Sequence, residues 1–322
     1  MRITNSMMSK SFLRDLNRNQ SYMKKINDQL TSGKEISRPS DNPYKVARSM
    51  QLSSDISTSK QYNENIKDTT NWLDTTDTAL QQLEKSMQRV RELMVSSGNA
   101  AYGSDEKKAI KDEINEKINE MSQILNTTFD GKYIFGGTKV NSKPVTVNEE
   151  STGNNKIYFS DKDGNMIDDI TSKEIENIKS SLDAEVSQGV TMKYNVSATE
   201  ILTFKDKSGK EVNLMNLLND ITNNLDSSEN SDEVIKGNLT DMDSSISNML
   251  KVMAEVGAKQ NRMESAAAQN EEQIFNLTDI LSQTEDIDFA EKTIEATVAQ
   301  SVYMAALQVS ARIVQPTLLD FL

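Results

Sequence analysis

Residues 235–281 carry apolar side chains at alternating intervals of three and four positions, and this regularity constrains the fold more than any other feature. Only Gln260 and Asn270 interrupt the series. Such spacing is typical of a coiled-coil seam and predicts one continuous helix of about 70 Å. A seam this narrow needs other helices to cover it. Its apolar members are Ile235, Leu239, Met242, Ile246, Met249, Met253, Val256, Met263, Ala267, Ile274, Leu277 and Leu281.

Four other segments show the same spacing and can supply the missing helices. They lie at residues 12–30, 66–94, 110–125 and 287–313. The loop between the second and third of these segments is short, which favours antiparallel packing. Helices of about 20 to 30 residues, such as the first and the last, are marginal in isolation. We therefore expect the terminal helices to need each other or neighbouring subunits.

Turn-forming residues mark the end of the first helix and the start of the second. Gly33 follows the last seam position of the first helix, where a left-handed C-terminal cap favours a residue without a Cβ. Pro39 lies in the connecting segment. Asp41 and Asn42 precede Pro43, and proline suits the first helical position because its missing N–H is not needed there. The second helix is thus predicted to begin at Pro43.

After Gly131 the pattern changes to short runs of β-prone residues. They occur at 133–135, 145–147, 157–159, 192–196 and 201–204, separated by turn formers such as Asp163-Gly164. Residues 172–184 resemble a helix inside this region, and helical spacing resumes at Leu214. These patterns predict a mainly α fold, an elongated antiparallel helical bundle or coiled coil formed by both chain ends, with a β-rich insert domain.

Charge and composition narrow the possible functions. The 322 residues carry a formal net charge of −13, and their Lys and Arg are not clustered, which argues against nucleic acid and membrane as partners. The sequence has no Cys and no His, so thiol and imidazole chemistry are excluded. No window has the roughly 18 apolar residues of a membrane span, and residues 1–10 lack the apolar core of a secretory signal.

Two short motifs resemble ligand-binding loops but lack residues that those loops need. Ser32-Gly33-Lys34 ends like a phosphate-binding loop, yet Glu35 occupies the place of the magnesium-binding hydroxyl. Residues 161–164 resemble a calcium loop without its closing Glu. Helix capping and a surface turn explain both, so no metal, cofactor or small-molecule substrate is expected.

Two other classes of protein would need features that the sequence lacks. An enzyme built on the insert would need a convergent polar site, and a chemoreceptor-like signalling rod would need a membrane span.

Motifs at both ends of the chain resemble the bacterial flagellin family. Leu30-Thr31-Ser32-Gly33-Lys34 is followed by Pro39-Ser40-Asp41-Asn42-Pro43. Near the C-terminus, Asp286-Ile287-Asp288-Phe289-Ala290-Glu291 leads through Gln300 and Ala305-Ala306 to Gln315 and Leu318-Leu319. Two internal runs resemble the hook-filament junction branch of that family: Tyr133-Ile134-Phe135-Gly136-Gly137, and Val256-Gly257-Ala258-Lys259 with Asn261-Arg262.

The resemblance implies a structural role in the bacterial flagellum rather than an enzymatic one. It implies export through the flagellar type III apparatus without a cleaved signal peptide, and assembly of copies into an extracellular ring or tube. The implied partners are further copies of the chain, a neighbouring hook-associated protein, flagellin, and an export chaperone at the C-terminal helix. Flagellin itself, the filament subunit, is the alternative within the family.

The resemblance also implies a division of the chain. We expect a terminal coiled-coil polymerisation region at 1–33 and 286–322, a helical rod domain at 34–130 and 212–285, and an outward-facing insert domain at 131–211. The expected assembly interface comprises Phe12, Leu16, Met23, Ile26, Leu30, Ile294, Val298, Val302, Val309, Ile313, Leu318 and Leu319. Gly33, Pro39, Asp41, Asn42, Pro43, Gly136, Gly137 and Gly257 are expected to shape the backbone. Gly257, inside the long helix, is predicted to admit a closely packed neighbouring helix.

Overall fold

The computed structural model describes residues 5–36, 38–98, 103–150, 153–167, 172–206, 209–226 and 232–313. Helices dominate this part of the chain, which confirms the mainly α prediction. The helices are α1 (Asn5–Ser32), α2 (Pro43–Ser97), α3 (Ser104–Leu125), α4 (Lys173–Lys179), α5 (Ala198–Leu202), α6 (Leu214–Asp226), α7 (Asp232–Glu285) and α8 (Phe289–Ile313).

The chain forms two compact units, and each unit combines segments that are distant in sequence. The terminal unit contains residues 1–60 and 272–322, and the central unit contains residues 61–271. Helices α2 and α7 each contribute residues to both units. In the terminal unit, α1 packs along α8. These two helices are antiparallel, because Gly33 bonds to Ile287 whereas Tyr22, earlier in α1, lies beside Glu295, later in α8.

The seams predicted from sequence form the helical core of the central unit. In α7, Met242, Met249, Val256 and Met263 are buried at intervals of seven residues, as a heptad pattern requires. The fifth position of this series is Asn270, which is also buried and donates its side-chain N–H to the Val186 carbonyl at 3.0 Å. All the seam positions predicted in α2 are buried: Ile66, Thr69, Leu73, Thr76, Leu80, Leu83, Met87, Val90 and Met94.

The β-rich segment consists of small antiparallel sheets. The described sheets pair β1 (Thr128–Phe129) with β2 (Lys132–Tyr133), β6 (Asp183–Ser187) with β7 (Val190–Lys193), and β8 (Thr203–Lys205) with β9 (Glu211–Asn213). A three-stranded sheet has the order β3 (Val145–Glu149), β4 (Asn155–Ser160) and β5 (Met166–Ile167).

Three strands predicted in this segment are only partly formed. Of residues 133–135 only Tyr133 lies in a strand, and of residues 192–196 only the first two do. The run at 201–204 is divided equally between helix and strand. Residues 198–202 form the short helix α5 because Ser197 and Glu200 make a capping box: each side chain accepts a hydrogen bond from the other residue's backbone N–H. Strand β8 begins only at Thr203. The helix-like patch contains α4, but its last residues belong to β6.

The β-rich segment shares its core with the surrounding helices. Phe135 and Phe159 are almost completely buried and belong to the same hydrophobic cluster as Ile114 and Ile118 of α3 and Leu218 of α6. Strand β4 packs against both α3 and α6. The three-stranded sheet therefore depends on the helices for one covered face, and the helices depend on the sheet in return.

The prediction for Gly257 is wrong. A Cβ built on this residue meets nothing within 4 Å apart from the residue's own helix. No other helix of the described chain therefore approaches α7 closely at this position. The neighbouring seam residue Val256 is fully buried, so the glycine lies beside the packed seam and not in it.

Candidate assembly surface

Helix α8 exposes a row of large apolar side chains. Ile294, Val298, Val302 and Val309 expose 65%, 56%, 53% and 50% of their surface. Apolar residues are distributed around α8 and are not confined to one face. A row of large apolar side chains left exposed in this way is normally covered by a partner, so this surface of α8 is suited to contacts outside the described chain.

The face of α8 that packs toward α1 differs from the predicted stripe. Ala299 is buried there, and Tyr303 and Ala306 are half-buried. These residues follow the three-four spacing, but none of them belongs to the predicted interface, because two of them are small and the predicted stripe contains larger apolar residues. The predicted residues of α1 do face inward: Ile26 is buried, and Phe12, Leu16, Met23 and Leu30 are half-buried.

An open groove of about 500 Å³ runs along the two terminal helices. Asn19 and Tyr22 of α1 line it on one side, and Ile294, Val298 and Val302 of α8 line it on the other. The side-chain nitrogen of Asn19 is buried without a hydrogen-bond partner among the described residues. A buried amide donor without an acceptor costs about 1–3 kcal/mol, so this position also gains from an added partner.

A polar cluster fixes the ends of the terminal helices to the start of α2. Gly33 has a φ of 72°, and its N–H bonds to the Gln29 carbonyl at 2.8 Å. The following residues form an antiparallel bridge: Glu35 N–H donates to the Glu285 carbonyl at 2.6 Å, and Ile287 N–H donates to the Gly33 carbonyl at 3.1 Å. The bridge holds the segment after α1 beside the segment between α7 and α8.

The carboxylate of Glu285 is the centre of this cluster. It forms an ion pair with Lys34 and accepts a hydrogen bond from Ser49 Oγ at 2.5 Å. Partial burial alone would raise the pKa of Glu285, but the hydrogen bonds from Lys34 and Ser49 and the charge of Lys34 together lower it below its ordinary value. The charged form of Glu285 is therefore part of the folded arrangement.

The turn before α2 contains the predicted Asp41, Asn42 and Pro43. Asp41 Oδ2 accepts a hydrogen bond from Arg38 N–H at 3.3 Å, and Asn42 Oδ1 accepts one from Lys45 N–H at 3.2 Å. The second bond gives Asn42 the role of a helix N-cap, with Pro43 as the first residue of α2. Pro39 is exposed in the same turn.

Gly136 and Gly137 lie where the backbone is too crowded for a side chain. A Cβ on Gly136 would be 2.4 Å from the Lys139 carbonyl oxygen. A Cβ on Gly137, whose φ is 60°, would be 2.2 Å from the Ile178 carbonyl oxygen of α4. These glycines let the chain turn immediately after the buried Phe135.

The remaining predicted interface positions lie at the end of the chain. Ile313 is the last residue of α8, and its side chain is outside the described set. Leu318 and Leu319 lie outside the described residues. Within the described chain, no cluster of acidic residues could hold a metal ion, and no helix is long and apolar enough to cross a membrane.

Comparison with known proteins identifies the family. The model of the bacterial flagellin N-terminal helical region matches residues 3–140, and that of the C-terminal helical region matches residues 239–322. Together the two matches cover more than half of the chain. The chain belongs to the bacterial flagellin family. This is a family of flagellar structural proteins.

Curated relatives include both hook-associated proteins and flagellins. The chain is 22% identical to flagellar hook-associated protein 3 of Escherichia coli over 95% of its own length and 94% of that protein. It is 25% identical to a Bacillus subtilis flagellin over 92% of its length and 91% of that protein. A Clostridium tyrobutyricum flagellin is 31% identical, but over only 44% of this chain and 37% of that protein.

Solved structures show the same fold. Hook-associated protein 3 of Legionella pneumophila superposes with a TM-score of 0.58 at 13% identity, covering 73% of this chain and 98% of that one. The flagellar junction protein FlgL, also from Legionella pneumophila, superposes with a TM-score of 0.53 at 14% identity, covering 76% and 100%. This flagellin-family chain therefore has the fold of those proteins.

Proposed function

We propose that this protein is a structural subunit of the junction between flagellar hook and filament. The observation that carries the proposal is the alignment with hook-associated protein 3 along nearly the whole length of both chains. The similarity of fold to hook-associated and junction proteins agrees with it. The role is mechanical, because such a subunit connects two assemblies and carries out no reaction.

Self-assembly would use the terminal helices. Ile294, Val298 and Val302 form an exposed apolar row. Burying this row against neighbouring copies would stabilise the assembly by roughly 25 cal/mol for each Å² of apolar area removed from water. The half-buried residues of α1 would complete this interface. We therefore keep residues 1–33 and 286–322 as the proposed polymerisation region, 34–130 and 212–285 as the proposed rod, and 131–211 as an outward-facing insert.

The neighbours of such a subunit would be further copies, another hook-associated protein and flagellin. Before assembly, the apolar surface of α8 would need protection, so an export chaperone is proposed to cover Val298 and Val302. Export through the flagellar apparatus without a cleaved signal peptide, to an extracellular position in the flagellum, completes the proposal. Pull-down with α8 variants that carry Val298→Ser or Val302→Ser would test the chaperone contact.

Flagellin itself is the alternative function, and the match to the Bacillus subtilis flagellin supports it. A deletion strain separates the two functions. Loss of a junction subunit leaves hooks on the cell and releases filament subunits into the medium, and loss of flagellin leaves no filament subunits to release. Hooks with released flagellin support the proposal, whereas hooks without released flagellin contradict it.

A further inference from the structure

The apolar seam of α7 does not by itself select one alignment with α2. Its buried apolar positions recur every seven residues, at Met242, Met249, Val256 and Met263. Three of these four are methionine, whose flexible side chain adapts to different neighbours. Buried positions of α2 repeat at the same interval, at Leu73, Leu80, Met87 and Met94. A slide of α7 by one heptad, about 10 Å, would therefore place similar side chains in similar surroundings.

Polar contacts between the two helices show which alignment the chain adopts. The Gln260 side chain of α7 donates a hydrogen bond to the Asp74 carboxylate of α2 at 2.9 Å, and Arg91 of α2 forms an ion pair with Asp243 of α7. Seventeen residues separate these contacts on each helix, so the two helices are antiparallel and keep one alignment between the contacts. Both contacts lie at the surface, where such bonds contribute little stability.

Asn270 is the polar residue that is buried in the α7 seam, with 2% of its surface exposed. Its side-chain N–H donates to the Val186 carbonyl of β6 at 3.0 Å. The pairing of β6 with β7 is irregular at this point and skips Val186 between Glu185 and Ser187. Such a bulge leaves one residue out of the ladder of hydrogen bonds, and Asn270 provides a partner for its carbonyl.

The residue before the bulge bonds to the other long helix. The Glu185 carbonyl accepts a hydrogen bond from the Asn65 side chain of α2 at 3.2 Å, and the Glu185 carboxylate accepts one from the Tyr62 hydroxyl at 3.3 Å. Successive residues of β6 thus bond to α2 and to α7. A slide of α7 along α2 would separate Asn270 from Val186 and leave two buried polar groups without partners, which is costly.

The polar residues in the α2 seam form a different kind of bond. Thr69 and Thr76 are buried, and each hydroxyl donates to the carbonyl four residues earlier in its own helix, at 2.7 Å and 2.8 Å. These bonds persist in every alignment of the two helices. The Asn270 bond differs because its acceptor belongs to another element.

We propose that Asn270 and the β6 bulge form a register lock, which fixes the alignment of α7 with α2. This inference concerns the single chain and does not depend on the proposed function. A buried asparagine in an apolar seam specifies register at some cost in stability. The hairpin of β6 and β7 therefore has a role in the helical core, since it selects one conformation from several with similar apolar burial.

Spin labels can measure the alignment in the purified, dilute protein. Because the chain contains no cysteine, Lys85→Cys and Glu264→Cys place one label at an exposed position of α2 and one at an exposed position of α7. Double electron–electron resonance should give one distance between the labels in the otherwise unchanged chain. Asn270→Leu should add a second population displaced by about 10 Å, the length of one heptad. Its melting temperature should stay close to that of the wild type, because burial of Leu offsets the lost hydrogen bond.

Thr76→Val is the matched control, because it removes a buried polar group whose bond lies within its own helix. It should leave a single distance. An unshifted single distance in Asn270→Leu would overturn the register lock, and so would an equal second population in Thr76→Val. Loss of the helical circular dichroism signal in Asn270→Leu would also overturn it, because an apolar residue at this position should fit the seam.

Discussion

The central unit and the terminal helices have the same apolar spacing, but they differ in how far the apolar side chains are buried. In the central unit, Leu73, Leu80 and Val90 are completely buried, because helices and strands of the same chain cover the seam. In α8, Val298 and Val302 keep more than half of their surface exposed. Three-four spacing thus predicts a helix with an apolar face, but it does not say whether the covering partner belongs to the same chain.

The sharpest test of this contrast is a charge in the exposed row of α8. We expect Val302→Asp to abolish filament formation and motility, because assembly would bury an unpaired carboxylate. The unfolding free energy of the monomer should change by less than about 0.5 kcal/mol, since the position is exposed in the single chain. Motility assays and denaturant titration measure the two effects.

The apolar variant Val302→Ile is the matched control and should assemble normally. A motile Val302→Asp strain would show that assembly does not bury this row. A strongly destabilised monomer would show that the row already has an internal partner.

Hydrogen exchange should reveal the same contrast without a mutation. In a dilute monomer, amides of α1 and α8 should exchange rapidly, because Ile26, Gln29 and Ala299 are the only described residues of these helices that are buried. Amides of residues 73–90 and 239–263 should be protected. Assembly should slow exchange in the terminal helices by orders of magnitude, and strong protection of α1 and α8 in the monomer would contradict assembly-coupled ordering.

Sequence reasoning was most accurate where a helix-capping motif or a long periodic pattern was present. It placed the start of α2 at Pro43 and the buried positions of α7 at Met242, Met249 and Val256. It did not find which face of α8 meets α1, because the apolar residues of this helix are not confined to one face and so indicate no unique inward face. The close packing around Ala299 was concealed by the smallness of that side chain.

The β-rich segment shows a second limit of sequence reasoning. Short apolar runs do not distinguish strand from helix, and the run at 201–204 was decided by the capping box at Ser197. The change in composition near Gly131 suggests a separate insert, but Phe159 of β4 packs into the same cluster as Ile118 of α3. Contacts across such a boundary are not visible in a local pattern.

Truncation of Phe159 tests whether the strands and helices share one cooperative core. Phe159→Ala should destabilise the central unit by about 3–5 kcal/mol, because the side chain is only 2% exposed and leaves a cavity. The loss should appear in a single melting transition that includes the helical signal. Met166→Ala in β5 is the control, with little effect because Met166 is 46% exposed. A separate transition for the strands would show two independent cores.

Acid should weaken the terminal unit through Glu285. Its folded-state pKa lies below the ordinary value of 4.5, so the ionised carboxylate contributes stability above that pH. This contribution is lost as the pH falls through the lower, folded-state pKa. We expect Glu285→Gln to cost about 1 kcal/mol at neutral pH and to flatten the acid limb of the stability curve.

Thermal melts between pH 7 and pH 3 measure this change. Glu272→Gln, at an exposed position of α7 in the same unit, should keep the wild-type pH dependence. If Glu285→Gln and the wild type lose the same stability as the pH falls, Glu285 does not cause the acid sensitivity.

The smallest effect is expected at Gly257, and a variant at Gly33 provides the comparison. Gly257 is helical, and a Cβ there meets nothing within 4 Å, so Gly257→Ala should stabilise the monomer by up to about 1 kcal/mol through helix propensity alone. Gly33→Ala should instead destabilise it by about 1 kcal/mol, because the φ of 72° disfavours any residue with a Cβ. Urea titration of both variants gives the two signs in one experiment. A destabilised Gly257→Ala monomer would mean that another segment does approach α7 at this position, and the open surface described here would be wrong.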